Sequence, residues 1–215
     1  MANSWIKTNR DLVKHLKSQN LLVDNLLLRA FSSVDRADFV GDKNRKNNLS
    51  YADIALPIGF GQTISQPTTV AIMLGLLKPG RGQKILDIGY GSGYSSALLA
   101  KIVGPKGKVF AIEINSQVAE QGQKNLAKYN LIKSGCVATL TADGTIGLPS
   151  QAPFDRVLVS AEAKKIPPAL MDQLKVGGIL VIPCNGSLIV VKRLSQNKFT
   201  ETEIPGFAFV PLVTE

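Results

Sequence analysis

Three acids and a run of glycines stand where ligand chemistry can be done. Gly89-Tyr90-Gly91-Ser92-Gly93 follows the short apolar run 84–88, which contains Asp87. Glycines let a backbone approach a ligand closely, and a helix beginning at Tyr94 would offer free N–H groups beside it. The spacing is GxGxG. Tyr94 occupies the place of the third glycine in a dinucleotide fingerprint, which weighs against a nicotinamide dinucleotide. Glu113 lies 20 residues beyond Gly93, an offset at which an acid can accept hydrogen bonds from both hydroxyls of a ribose. Asp143-Gly144 ends a third apolar run, where a carboxylate can receive the amino group of an adenine. Each acid alone could equally be a helix cap or a turn former.

The chain is nearly without other catalytic side chains. His15 is the only histidine, and Cys136 and Cys184 are the only cysteines. A Ser-His-Asp or Cys-His mechanism needs a histidine held by a third group, and His15 lies in a polar N-terminal segment. The soft ligands are too few for a zinc cluster, so no metal site is expected. Two cysteines in 215 residues make no disulfide framework. They read as apolar fillers in strands, in a reducing compartment.

Charge is +9, from 25 basic and 16 acidic residues. Divided over residues 1–50, 51–100, 101–150 and 151–215, it is +4, +1, +3 and +1. An excess spread this evenly, without a block of like charge, describes a lysine-rich solvated surface better than a nucleic-acid footprint. Residues 1–10 show no apolar leader, and no apolar run approaches a membrane span. The expectation is a soluble cytoplasmic protein with no membrane partner.

Apolar periodicity places the elements that carry the candidate residues. Two short helices fit residues 1–40, with Leu12, Val13 and Leu16 on one face and Leu22, Leu26, Leu27 and Ala30 on the next. A charged loop is expected over 41–50. Strands are read at 84–88, 108–113, 136–142, 154–161 and 177–183. Helices are read at 67–77, 94–103 and 115–130, with Asn115 as N-cap, and another begins at Pro167-Pro168. Residues 187–193 and 199–204 form a C-terminal hairpin around a polar turn at 195–197. Strand alternating with helix predicts an α/β, doubly wound, Rossmann-like sheet with helices on both faces. The whole chain is read as one domain, 1–50 being an N-terminal helical extension and 51–215 the core. Such sheets bind ligands at the carboxyl ends of their strands, which is where Asp87, Glu113 and Asp143 fall.

The glycine loop headed by Asp87 resembles the first motif of class I methyltransferases, E/D-x-G-x-G-x-G. Three acids at three successive strand ends suit S-adenosylmethionine, a cationic ligand without phosphate. The stretch from Tyr51 and Asp53 through Leu56-Pro57-Ile58-Gly59-Phe60-Gly61-Gln62-Thr63-Ile64-Ser65-Gln66-Pro67 closely resembles the signature of protein-L-isoaspartate O-methyltransferases. Val34-Asp35-Arg36, Ala152-Pro153-Phe154-Asp155, Gly177-Gly178 and Val210-Pro211-Leu212 agree with the same family. The resemblance covers roughly residues 30–215. It departs at Phe60, Thr68, Thr69, Tyr90, Leu148, Glu162 and Val213.

The resemblance implies repair of damaged proteins. A methyl group would pass from S-adenosylmethionine to the α-carboxylate of an L-isoaspartyl residue, leaving S-adenosylhomocysteine. It implies that Gln62, Thr63, Ile64, Asp87, Gly89, Gly91, Gly93, Glu113, Asp143 and Gly144 hold the cofactor. Partners would be isoaspartyl peptides and damaged proteins, with no specific nucleic acid, and the chain would act as a monomer. A carboxylate is already ionised at pH 7, so no general base is required. Catalysis then rests on alignment and partial desolvation. Ser65, just before a helix-starting Pro67, is given the role of orienting the acceptor carboxylate; its alternative is a plain helix cap. Other readings keep the methyl donor and change the acceptor to a peptide aspartate or an RNA base. A further one is a relative that binds without turnover.

Overall fold

The computed structural model describes residues 6–214; residues 1–5, read above as lacking an apolar leader, lie outside them. Two helices open the chain, α1 (Asn9–Ser18) and α2 (Asn25–Ser33). Thr8 and Asp11 form a reciprocal capping box at the first, and Asp24 caps the second. Their apolar faces, among them Leu12, Leu16 and Phe31, join the same core cluster as Ile85 and Val109 of the sheet. The charged loop expected over 41–50 is instead partly helical, as α3 (Gly41–Lys46). Its one inward residue is Asn44, whose Nδ2 donates to Val40 O at 2.6 Å and Pro57 O at 2.8 Å. Those bonds turn a segment that reads as solvated into a prop for the chain around Pro57.

Pro57 belongs to a two-stranded hairpin that apolar patterning does not reveal, β1 (Leu56–Gly59) and β2 (Gln62–Ile64). Its turn holds Gly59, Phe60 and Gly61 all at positive φ, and Phe60 is 52% exposed at the tip. Helix α4 (Pro67–Leu77) comes next, over the residues predicted. Its N-cap position, Gln66, makes no side-chain capping bond. Asp53 supplies one from outside, accepting from Thr68 N at 2.9 Å and Thr68 Oγ1 at 2.6 Å. The departure at Thr68 is thus tied into the start of the helix.

The core alternates as the apolar runs require. β3 (Lys84–Ile88) leads to α5 (Tyr94–Val103), β4 (Lys108–Glu113) to α6 (Ser116–Ala127), and β5 (Val137–Thr141) to two short 3-10 turns. After β6 (Phe154–Val159), the five-residue α7 (Pro168–Asp172) precedes β7 (Leu174–Cys184), β8 (Ser187–Ser195) and β9 (Lys198–Pro205). The seven strands lie in the order β5-β4-β3-β6-β7-β8-β9. Pairing is parallel from β5 through β7 and antiparallel across β8 and β9. β9 forms one edge and is exposed along most of its length, with Lys198, Glu201 and Glu203 in solvent.

The α/β expectation holds, with layers of unequal weight. Ile85 faces the cluster built by α1, α2, α4, α5 and α6, whereas Leu86 and Ile88 face a smaller one built with Phe154, Val157 and Leu170. That alternation is the period-2 geometry of a strand, and it points Asp87 toward α5. The chain moves outward from β3 to β5 and then returns to place β6 on the other side of β3. The reversal opens a crevice at the carboxyl ends of β3 and β6. No described helix is long and apolar enough to cross a membrane.

The glycine loop after β3 rests on α6. Tyr90, unusual in such a loop, is buried and donates through its hydroxyl to Ala119 O at 3.0 Å. Gly122 lies opposite. A Cβ there would sit 2.5 Å from Gly91 O and 2.6 Å from the Tyr90 ring. Gly122→Ala must displace backbone rather than a flexible side chain. It is expected to cost about 1–3 kcal/mol of stability, the range for overpacking. Denaturant unfolding measures this, and an unchanged midpoint would show that the loop does not lean on α6.

Candidate active site

The crevice holds three adjoining chambers. The first is lined by Gln62 and Thr63 of β2, Gly89 and Gly91 after β3, Glu113 at the end of β4 and Gly144 after β5. The second opens beside it, with Ile64, Ser65, Tyr94 and Ser95. The third lies against α4, with Ala55, Ser65, Gln66 and Thr69. Thr63 and Ser160 line all three chambers, so they stand at the junction. The hairpin missed by patterning is what carries Gln62, Thr63 and Ile64 to the strand ends.

Glu113 is 6% exposed, and both its oxygens are already oriented. Oε2 accepts from Gly91 N and Oε1 from Asn115 N, each at 3.1 Å. A carboxylate oxygen can accept more than one bond, so each keeps capacity for a hydroxyl in the chamber. Asp87 lies beneath the glycine loop, fully buried, and lines none of the three chambers. Its Oδ2 accepts from Ser95 Oγ at 2.8 Å and Ser96 Oγ at 2.6 Å, while Oδ1 has no partner among the described residues. Burial pushes this carboxyl up to about 6, against the pull of the two serine hydroxyls and aided by the nearby Glu113 charge.

Two assigned residues have other work here. A Cβ on Gly93 would meet Leu126 Cγ at 2.9 Å and Gly122 O at 3.1 Å. This glycine lets α5 and α6 approach and does not line the chambers. Asp143 caps the 3-10 turn Gly144–Ile146, its Oδ1 accepting from Thr145 N at 2.8 Å and Thr145 Oγ1 at 2.7 Å. It stands outside the lining, while Gly144 lies within it, packed on Ile88. Ser65 contributes no capping bond to α4. Its carbonyl accepts from Arg36 Nη2 at 3.3 Å, and the residue lines the second and third chambers.

Residue spacing did not reveal Ser160 and Ala161, which follow β6, or residues 208–213. The first pair carried a signal, because strand 154–161 ends at the crevice like the others. Residues 208–213 arrive by a long-range crossing. Glu162 N donates to Val210 O at 2.8 Å and Leu212 N to Glu162 O at 2.7 Å, which seats Val210, Pro211 and Leu212 in the first chamber.

The electrostatics are one-sided. Among the described residues lining the three chambers there is no lysine, arginine or histidine, and Glu113 is the one charged side chain. Four hydroxyl-bearing residues, Thr63, Ser65, Thr69 and Ser160, line the third chamber. Phosphate would find no cation here. A cationic ligand would find Glu113, with the buried Asp87 behind it.

The sequence model of the Protein-L-isoaspartate(D-aspartate) O-methyltransferase family matches residues 7–215. The chain is 40% identical over 208 residues to a protein-L-isoaspartate O-methyltransferase of Methanopyrus kandleri, covering 95% of this chain and 90% of that protein. A protein of the same description from Aeropyrum pernix is 40% identical over 218 residues, covering 100% and 82%. Among solved structures, a Plasmodium falciparum protein-L-isoaspartate O-methyltransferase in complex with S-adenosyl-L-homocysteine superposes with a TM-score of 0.85. It covers 97% of this chain and 99% of that one; at 21% identity the likeness speaks for the fold alone.

Proposed function

The chain belongs to the protein-L-isoaspartate(D-aspartate) O-methyltransferase family, and from that premise we propose how its residues carry the reaction. S-adenosylmethionine fits the first two chambers by the chemistry of their walls. They hold one acid, no cation, and a glycine backbone pressed close to the crevice. Beneath them the unpartnered Oδ1 of Asp87 favours a positive ligand nearby. Glu113 would hold the ribose hydroxyls, Gly89 and Gly91 admit the ligand to the backbone, and Gly144 borders the adenine. Asp143 lies outside the lining and would act on the adenine through the turn it caps, which sets Gly144 in place. Gly93 and Asp87 support this bed from behind.

When bound, S-adenosylmethionine supplies an electrophilic methyl on its sulfonium. The chain's task is to bring a carboxylate to it. The third chamber is lined by four hydroxyl-bearing residues, Thr63, Ser65, Thr69 and Ser160, with no cation to quench the nucleophile. Hydroxyls orient a carboxylate and leave it reactive, whereas a buried guanidinium would pair with it and lower its reactivity. No proton needs to be removed, so the absence of histidine from the chamber costs nothing. The single observation that carries the reading is this pairing of an acid-lined chamber with a hydroxyl-lined one, joined at Thr63 and Ser160. The acceptor is then the α-carboxylate of an L-isoaspartyl residue in a flexible, damaged peptide. The chain works as a monomer, without specific nucleic acid or membrane, in keeping with its evenly spread +9 charge.

Methyl transfer to paired peptides, with Asp or isoAsp at one position, tests it. Ester on the isoAsp peptide alone is expected, and equal ester on both would overturn the acceptor assignment. Cofactor binding is tested at Glu113. Glu113→Ala is expected to weaken S-adenosylmethionine by about 1.5–3 kcal/mol, the range for hydrogen bonds to a charged group. The loss also frees Gly91 N, which favours the upper part of that range. Unchanged affinity by calorimetry removes Glu113 from the site.

A further inference from the structure

The segment after β9 roofs the crevice. Ala208 and Phe209 line the hydroxyl chamber, Leu212 lines the cofactor chamber, and Val210 lines both. The segment belongs to no strand; a bridge from Pro211 to Glu162 is its pairing with the rest of the molecule. It is fixed at two places. At its start, Gly186 O accepts from Gly206 N at 3.0 Å and Phe207 N at 2.9 Å. Farther on, the backbone of Glu162 holds Val210 and Leu212.

One side chain joins the two places. Glu162 Oε1 accepts from Gly186 N at 2.7 Å. Gly186 is the second residue of a two-residue turn between β7 and β8, in which Asn185 and Gly186 both have positive φ. Such a turn fixes where its amides point. The glycine N–H reaches Glu162, and its carbonyl carries the roof. The residue that closes this ring is also a departure from the family pattern. We propose that Glu162 is a positioning residue for methyl transfer. It holds the roof segment over the acceptor chamber by tying the Gly186 anchor to the Val210–Leu212 anchor. This rests on the functional reading above and adds a residue that touches neither substrate.

The main-chain bonds at Glu162 do not depend on its side chain, so substitution there removes the tie alone. Glu162→Ala, Glu162→Asp and Glu162→Gln are compared with the unaltered chain. The readouts are kcat and KM on an isoAsp peptide, amide hydrogen exchange, and the unfolding midpoint. A roof positioned for part of the time raises apparent KM by the inverse of that fraction. Glu162→Ala is expected to raise peptide KM about tenfold, with kcat changed by less than about twofold. Exchange at Gly186 and Phe207 should quicken, while β3 amides stay protected. Glu162→Gln keeps an acceptor oxygen and is expected to recover most of the loss; Glu162→Asp falls one methylene short and is expected to recover little. Wild-type KM and exchange in Glu162→Ala and Glu162→Asp overturn the proposal. Should Glu162→Ala fail to fold, the contrast between Asp and Gln decides alone. If the unaltered chain does not methylate the peptide, the functional reading fails, while exchange at Phe207 still tells whether Glu162 holds the roof.

Discussion

Arg36→Ala is expected to remove about 3–5 kcal/mol of folding stability, because three charge-assisted hydrogen bonds and the packing of a buried side chain are lost together. The side chain is completely buried. Nη1 donates to Ser50 O at 2.6 Å, and Nη2 to Ile54 O at 3.2 Å and Ser65 O at 3.3 Å. These carbonyls belong to the segment that leads into the hairpin and out to α4. One guanidinium therefore shapes the chain on both sides of the crevice wall. Burial pulls its pKa down to about 10, opposed by the nearby Asp53 charge. The alanine variant loses that fork and leaves a cavity where the buried side chain stood. Arg36→Lys keeps the charge without the planar fork, so it is expected to fall between the two. Equilibrium unfolding in denaturant decides the matter, and a loss below about 1 kcal/mol would mean that water satisfies the carbonyls equally well.

Ser65→Ala is expected to slow turnover on an isoAsp peptide by roughly 10- to 200-fold. That is the factor carried by one oriented hydrogen bond to a charged group, about 1.5–3 kcal/mol. Affinity for S-adenosylmethionine should stay close to the original. The usual confounding effect is small here, because Ser65 does not cap α4 and Asp53 serves Thr68 instead. Stability is expected to change by less than about 0.5 kcal/mol. Ser65→Thr should retain more activity, keeping the hydroxyl but crowding the chamber with a methyl. Full turnover in Ser65→Ala would end the orienting role. A methylated or peptidyl Ser65 trapped by mass spectrometry would contradict direct transfer.

The core was legible because buried parallel strands are short apolar runs broken by glycine. Residues 84–88 and 108–113 became strands over the residues expected, and 67–77 and 94–103 became helices likewise. β1 and β2 were not legible from pattern. They are four and three residues long, include Pro57, and owe their place to Asn44 and Arg36 rather than to an apolar face. The site divided in the same way. Glu113 and the first two loop glycines could be read from strand ends. Gly93 could not be separated from them, because its contacts lie across a helix interface. Ser160 could have been read from the end of its strand, whereas Val210 and Glu162 depend on contacts between segments distant in sequence, which no local spacing encodes. Helices were expected on both faces of the sheet, and the second face is the thinner. Its helix α7 proved only five residues long, because the Pro167-Pro168 start is followed by β7 six residues later.

The bare edge of the sheet has a consequence for life at high concentration. A free strand offers a row of unpaired amides and carbonyls to any other chain in extended form, and a repair enzyme would meet many such chains. β9 presents Lys198, Glu201 and Glu203 to solvent, and Pro205 ends it with a residue that has no N–H to donate. Charge and a missing donor at that border discourage strand addition and fibril growth, so the surface that ends the fold also keeps it from being extended by its own clients.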